Sequence, residues 1–390
     1  MNTTTTFRSR AAAALAALLA ALSLVTAFAL STTPAAAQEG RIKAWGNNSY
    51  LQLGDTGSTG TRLTPATVAG LTNSDVQSLS AGYYHSLALL TNGTVESWGY
   101  NAYGELGVGT GANYSVPGTV TGLRGVVAVA AGGYHSLALL ADGTVWAWGY
   151  NAQGQLGDGT TTNRVNPVQV QNLTGVVAIA AGGHHSLALL ADGTVKAWGN
   201  NGNGQLGDGT TTNRSTPVTV IGLSTVRGIT AGISHSVARL ADGTVRAWGL
   251  NSSGQLGDGT TTQRTNPVTV IGVTNARDLS AGSNHSLALL ADGTVMAWGL
   301  NASGQLGDGT TTNRPLPIAL SGAANVRAIA GGGDHTVILT RDGQTRSTGL
   351  NSNGQLGDGT TTNRTALTDP VSGLSSISLI SAGNAFTLAA

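Results

Sequence analysis

Six histidines recur at a constant interval of 50 residues, at His85, His135, His185, His235, His285 and His335, and Ser136, Ser186, Ser236 and Ser286 each follow one of them. His beside Ser is the pairing from which a base-activated nucleophile is built, and repeated His is a common source of zinc ligands. The spacing argues against both. Zinc needs three or four ligands converging on one point, whereas one His per unit spreads them around whatever the units build. His184, the single additional His, neighbours His185, and adjacent residues of a strand face opposite ways. A nucleophile needs a base oriented by a third group, and a serine that returns in nearly every unit is architectural. Asp158, Asp208, Asp258, Asp308 and Asp358 lie in copies of GQLGDGTTTNR, which lacks the acidic ladder and closing Glu of a calcium loop. Hydrogen bonds within the loop are expected instead, with Arg164, Arg214, Arg264, Arg314 and Arg364 as partners. The Gly-rich loops lack the following helix that a phosphate cradle requires. The chain has no cysteine, so neither disulfides nor thiol chemistry arise. These residues predict no catalytic group, no metal ligand and no cofactor, hence a protein that is not an enzyme.

The elements that carry these residues repeat as faithfully. From Arg41 to Ala390 the chain divides into seven units of 50 residues (41–90, 91–140, 141–190, 191–240, 241–290, 291–340 and 341–390). A Trp-Gly marker stands at Trp45, Trp98, Trp148, Trp198, Trp248 and Trp298, and becomes Thr348-Gly349 in its seventh copy; the seventh copy of the His marker is assigned to Ala385. Within a unit, VVAVAAG and HSLALLA are short apolar runs, and Asp142-Gly143 separates the second from TVWAWG. Asp-Gly or Asn-Gly between such runs predicts a hairpin, here assigned a type I′ turn. A fourth strand is expected from Pro167 to Gln171. Four strands per unit and seven units predict an all-β, seven-bladed propeller whose blades bury both faces against their neighbours. The C-terminal FTLAA aligns with the strand before the hairpin turn and RIKAWG with the strand after it. The ring is therefore expected to close by pairing of the N-terminal with the C-terminal strand. The repeated Trp residues read as blade packing; Trp146, at a variable position, is expected at the surface.

GYNAQGQLGDGT and AAGGYHSLAL (Gly149 to Thr160 and Ala130 to Leu139), in fixed register over the whole repeat region, resemble the regulator of chromosome condensation repeat family. The resemblance implies the propeller fold. Its founding eukaryotic member is a nuclear guanine nucleotide exchange factor that uses a wedge inserted in a blade, and the constant 50-residue spacing leaves no room for one here. A plant ultraviolet photoreceptor of the same family carries Trp and Arg near the His motif, where this chain has Tyr84, Tyr134, His184, Ser234, Asn284 and Asp334. The secreted bacterial members that inhibit β-lactamases share the AGxxHSLAL and AWG strings and bind through aromatic loop residues, but have shorter repeats. The resemblance to this secreted type implies a binding protein without naming its target.

Residue asymmetry narrows the search for a site. All eight tyrosines (Tyr50, Tyr83, Tyr84, Tyr100, Tyr103, Tyr114, Tyr134 and Tyr150) lie between positions 50 and 150, so the fold itself does not require them. Tyr84 precedes one hairpin strand and Tyr100 follows the other, which places both at the end opposite the turn. Tyr83, Tyr103, Tyr134 and Tyr150 fall at the same end. A Tyr cluster on adjacent blades has the composition of a protein-binding hot spot, and Tyr83, Tyr84, Tyr100, Tyr103, Tyr134 and Tyr150 are the predicted contact residues.

Arg8 and Arg10, the apolar run Ala11–Leu30 and Ala35-Ala36-Ala37 read as an export signal over residues 1–37 ahead of a propeller over 38–390, with an uncleaved anchor as the alternative. Charged residues are 9% of the chain and the formal net charge is +1, without the basic patch that nucleic acid or an anionic membrane surface demands. The expectation is a secreted or envelope-exterior monomer that binds a protein as scaffold or inhibitor. Exchange-factor activity and an enzyme acting on an extracellular polymer are the alternatives.

Overall fold

The computed structural model describes residues 42–390 apart from Ser58, Asn73, Ser74 and Ser375; the expected export signal lies outside the described residues. Seven antiparallel sheets follow one another around a central channel. The second blade shows the pattern: an inner strand Val126–Ala131, then His135–Leu140, Val145–Gly149 and an outer strand Arg164–Gln169. The two middle strands are buried almost throughout, because each is covered on both faces by a neighbouring blade. Apolar clusters accordingly straddle blades: Leu137, Leu139, Val145 and Ala147 of the second pack with Val176, Ala188 and Trp198 of the third. All six repeated Trp side chains are fully buried. Truncating any one of them to Ala removes packing worth roughly 3–5 kcal/mol. Trp146 is half-buried against the first and second blades instead of lying free at the surface.

The hairpin turn differs from the expected type. A type I′ turn needs positive φ at both central residues, yet Gly143 alone has it, at +81°, and Asp142 does not. The Leu140 carbonyl accepts from Gly143 N at 2.9 Å, and the Thr144 carbonyl accepts from Leu140 N at 2.9 Å. This is a type I turn followed by a Gly bulge, which restores the strand twist that a type I turn alone would spoil. Asp142 holds it by accepting from the Thr144 backbone N and hydroxyl, at 2.9 and 2.7 Å. The outer strand starts at Arg164, earlier than Pro167, because its Arg pairs with Gly149 across a bulge.

Ring closure follows the sequence reading. The closing blade takes its inner strands Ile380–Ala382 and Phe386–Ala389 from the C-terminal end and its outer strands Lys43–Gly46 and Arg62–Thr67 from the N-terminal end. Lys43 to Gly46 pair in order with Ala389 to Phe386. One assignment shifts by a residue: Phe386, not Ala385, takes the His place. Its ring lies against Gly383 as His135 lies against Gly132, and Thr387 stands where Ser136 stands, accepting from His335 at 3.1 Å. The last unit is one residue longer before this strand, which a strict 50-residue count misses. In the sixth blade the outer strand shrinks to a single bridge, Gly349 to Arg364. There Thr348 replaces Trp, and its hydroxyl lies 2.9 and 2.8 Å from the Gly304 and Arg364 carbonyls.

Candidate protein-binding face

The repeated polar residues come first, because their bonding decides whether they are chemical or structural. His85 Nε2 is 2.9 Å from Ser136 Oγ of the next blade, and Ser136 donates its only hydroxyl proton to the Glu105 carbonyl at 2.8 Å. The serine must therefore accept from His85 Nε2–H. That polarity is the reverse of a catalytic dyad, in which His takes the serine proton. The same relay joins His135 to Ser186, His185 to Ser236, His235 to Ser286 and His285 to Thr336. Trp148 Nε1 donates to the same Glu105 carbonyl at 2.7 Å, so His, Ser and Trp staple consecutive blades together. Burial holds His85, His185, His235 and His335 down at about 3, neutral at any ordinary pH.

The Asp and Arg of the outer loops pair as expected. Asp158 accepts from Arg164 at 2.7 Å, and equivalent pairs hold the loops of Asp208, Asp258, Asp308 and Asp358 as well as Asp55 with Arg62. The Asn151 side chain donates to Asp158 and to the Thr162 carbonyl and accepts from Leu156 N. The loop is thus locked by its own side chains. Among the described residues no three of His, Asp or Glu converge as metal ligands would.

Against this scaffold the tyrosines form one continuous cluster. Tyr50 from the closing blade meets Tyr84 and Tyr100 of the first, with ring centroids 4.9 and 5.0 Å apart. Tyr84 and Tyr100 both reach Tyr134 of the second blade, at 6.0 and 6.3 Å. Tyr103 bridges Tyr100 and Tyr150, at 6.1 and 4.9 Å. Tyr134 stacks on His184 of the third blade, 5.6 Å away with planes 15° apart. Most contacts are edge-to-face, the arrangement that ring quadrupoles favour. Tyr50 and Tyr103 are the exposed members, at 39% and 37%. Burial pushes Tyr100 up to about 12 and raises Tyr134, so these two rings are neutral and keep a hydroxyl to donate.

The structure brings the six sequence-predicted tyrosines together, but not to one task. Tyr83 points into the central channel: a Cβ on Gly133 or Gly183 would lie 3.0 Å from its ring or hydroxyl. Its hydroxyl is directed toward Ser283 across the channel without a hydrogen bond of standard length, and burial raises its pKa strongly. It fills the mouth of the channel while Tyr84, Tyr100, Tyr103, Tyr134 and Tyr150 form the rim. Two members were missing from the sequence selection. Tyr50 lies in the first unit, whose loop spacing differs, and the sequence reading weighs His184 only for metal binding, which it rejects, and not as an aromatic ring. Tyr114 stays apart, packed beneath Gly118 and against the closing-blade core.

A model of the RCC1-like domain matches residues 20–276, and models of the regulator of chromosome condensation (RCC1) repeat match 292–339 as well as 276–305 and 326–355. The chain belongs to the RCC1-like domain family. It is 40% identical over 75 residues to the human probable E3 ubiquitin-protein ligase HERC6, covering 19% of this chain and 7% of the relative. It is 36% identical over 91 residues to the Arabidopsis thaliana RCC1 domain-containing protein RUG3, mitochondrial, covering 23% and 20%. The matched part thus spans a fifth or less of these relatives' length. Among solved structures, Prp20p from Saccharomyces cerevisiae superimposes with a TM-score of 0.81 at 26% identity, over 91% of this chain and 92% of that one; its structure is described together with its binding to Gsp1p and histones. Human WBSCR16 gives 0.79 at 24% identity over 90% and 98%, a likeness of fold. Prp20p is thus a propeller of this build for which protein binding is described.

Proposed function

We propose that the chain is a secreted, non-enzymatic propeller that captures a protein partner, as scaffold or inhibitor, on the face bearing the tyrosine cluster. One observation carries the reading: seven tyrosines and His184, drawn from four consecutive blades, meet in a single patch at one end of the ring. The remaining blades fold with Ser234, Asn284 and Asp334 before the His and with Asn200, Leu250 and Leu300 after Trp-Gly, so the cluster serves something other than folding. Tyr offers a large contact area and a hydroxyl at little cost in side-chain entropy, which is why it concentrates in hot spots. The leader-like sequence over residues 1–37 supports secretion. The reversed polarity of the Ser–His contacts supports a non-enzymatic role. Exchange-factor activity draws only on relatives, since the 50-residue register continues from His85 to His335 without an inserted wedge.

The test is capture from culture medium by the immobilised propeller and by a Tyr84→Ala/Tyr103→Ala chain. The double variant should lose the captured protein and keep its melting temperature within a few degrees. Equal capture by both chains refutes this face.

A further inference from the structure

The cluster has an acidic floor. Glu105 stands at the position that is Gln in every other unit (Gln52, Gln155, Gln205, Gln255, Gln305 and Gln355), and it is fully buried. One carboxylate oxygen accepts from Tyr103 N at 2.9 Å; the other has no hydrogen-bond partner. The direction of that second oxygen follows from the repeats. The corresponding amide of Gln205 donates to Asn200, that of Gln255 to Asn284 and that of Gln305 to Asp334. In the first and second blades those two places are held by Tyr100 and Tyr134, so the free oxygen of Glu105 is aimed at the underside of the cluster. Burial pushes Glu105 up to about 7 and its charge reaches both Tyr100 and Tyr134.

Among the described residues no basic side chain pairs with this group. Each of the other six outer loops commits an arginine to an aspartate of its own. The loop of Glu105 has Val108 and Tyr114 at those two places, and among the described residues no ion pair includes Glu105. A ring surface over a buried carboxylate complements a cation. The quadrupole of each Tyr attracts it, and the carboxylate acts through a region from which water is excluded, where its field is weakly screened.

We infer that the tyrosine cluster reads a lysine ammonium presented by the partner, with Glu105 supplying the charge beneath it. This rests on the protein-binding reading of the same face. The cation lies against the rings and does not need to touch the carboxylate.

The experiment uses the full propeller with ring-labelled tyrosine and two peptides, acetyl-Gly-Lys-Gly-amide and the same peptide with an acetylated lysine, which removes the charge and little else. The lysine peptide should shift the Tyr100 and Tyr134 ring signals, and the acetyl-lysine peptide should bind about tenfold more weakly. Glu105→Gln should bring the lysine peptide down to the level of the acetylated one while the tyrosine signals stay dispersed. Equal binding of both peptides by the natural chain, no binding of either, or discrimination retained in Glu105→Gln each overturns the inference. Should any of these occur while Tyr84→Ala/Tyr103→Ala still abolishes capture of the partner, the cation preference falls and the binding face stands.

Discussion

Replacing Glu105 by Gln should change stability in a way that depends on pH, and the size of the change follows from its burial. The carboxyl has an ordinary value of 4.5 and is pushed up to about 7 in the fold. A raised acid binds its proton more tightly in the native state, so its ionisation costs nothing below 4.5, costs more as pH climbs toward 7, and levels off above. The full displacement corresponds to about 3 kcal/mol. The penalty is about 1 kcal/mol at pH 5 and about 3 kcal/mol at pH 8. Gln carries no such penalty, although its amide under Tyr134 adds a constant cost of its own, as the unpartnered amides of Gln155 and Gln355 show. The stability of Glu105→Gln relative to the natural chain should therefore rise by about 2 kcal/mol between pH 5 and pH 8, whatever its offset. For a ring of this size that is about 3 °C in melting temperature. Urea unfolding of both chains at pH 5, 6, 7 and 8 reads it directly, and the histidine contributions cancel in the difference. A difference that is flat with pH, or one that falls, would refute the claim that a buried, uncompensated carboxyl lies under the cluster.

Two further outcomes are expected. The inter-blade histidines are held well below 6.5 by burial, so their contribution is present above pH 6.5 and is lost as pH falls toward their folded values. With six such groups, unfolding between pH 4 and 6 should take up about six protons and steepen by up to about 8 kcal/mol per pH unit, measured by urea titrations; uptake of one or two protons would contradict neutral histidines. Removing the strand Lys43–Gly46 deletes the partner of Phe386–Ala389 and the buried Trp45, whose indole donates to the Gln355 carbonyl at 3.0 Å. The melting temperature should drop by about 10 °C or more, and an unchanged melt would refute closure by strand exchange.

Much of the architecture was readable because its signals are short-range. Asp-Gly turns, Trp-Gly ends and the 50-residue period each act within one unit or between equivalent positions, so blade number and the closing strand follow from counting. The turn type did not, since Ala141-Asp142-Gly143 suits a type I turn with a Gly bulge as well as the two-residue alternative, and φ at Asp142 is decided by the strands it joins. The shift from Ala385 to Phe386 escapes a strict 50-residue count, because the last unit carries one added residue before this strand, although Gly383 to Thr387 align in order with Gly132 to Ser136. Six rim and channel tyrosines could be listed from their absence in later units, but a list of positions does not say which ring faces the channel.

The sequence alone determines the propeller, its closure and the presence of an unrepeated tyrosine set, because these depend on local propensity and on repetition. Only the tertiary structure decides what the residues do to one another. Contacts between blades join positions about 50 apart, and their geometry depends on how the sheets pack around the channel. Packing sends Tyr83 across the channel and Tyr84 onto the rim, and it stacks His184 on Tyr134. It makes Ser136 an acceptor from His85 instead of a nucleophile. It also places Glu105, the one Glu among seven equivalent positions of which six are Gln, beneath the rings, where it is a buried carboxyl without a basic partner among the described residues.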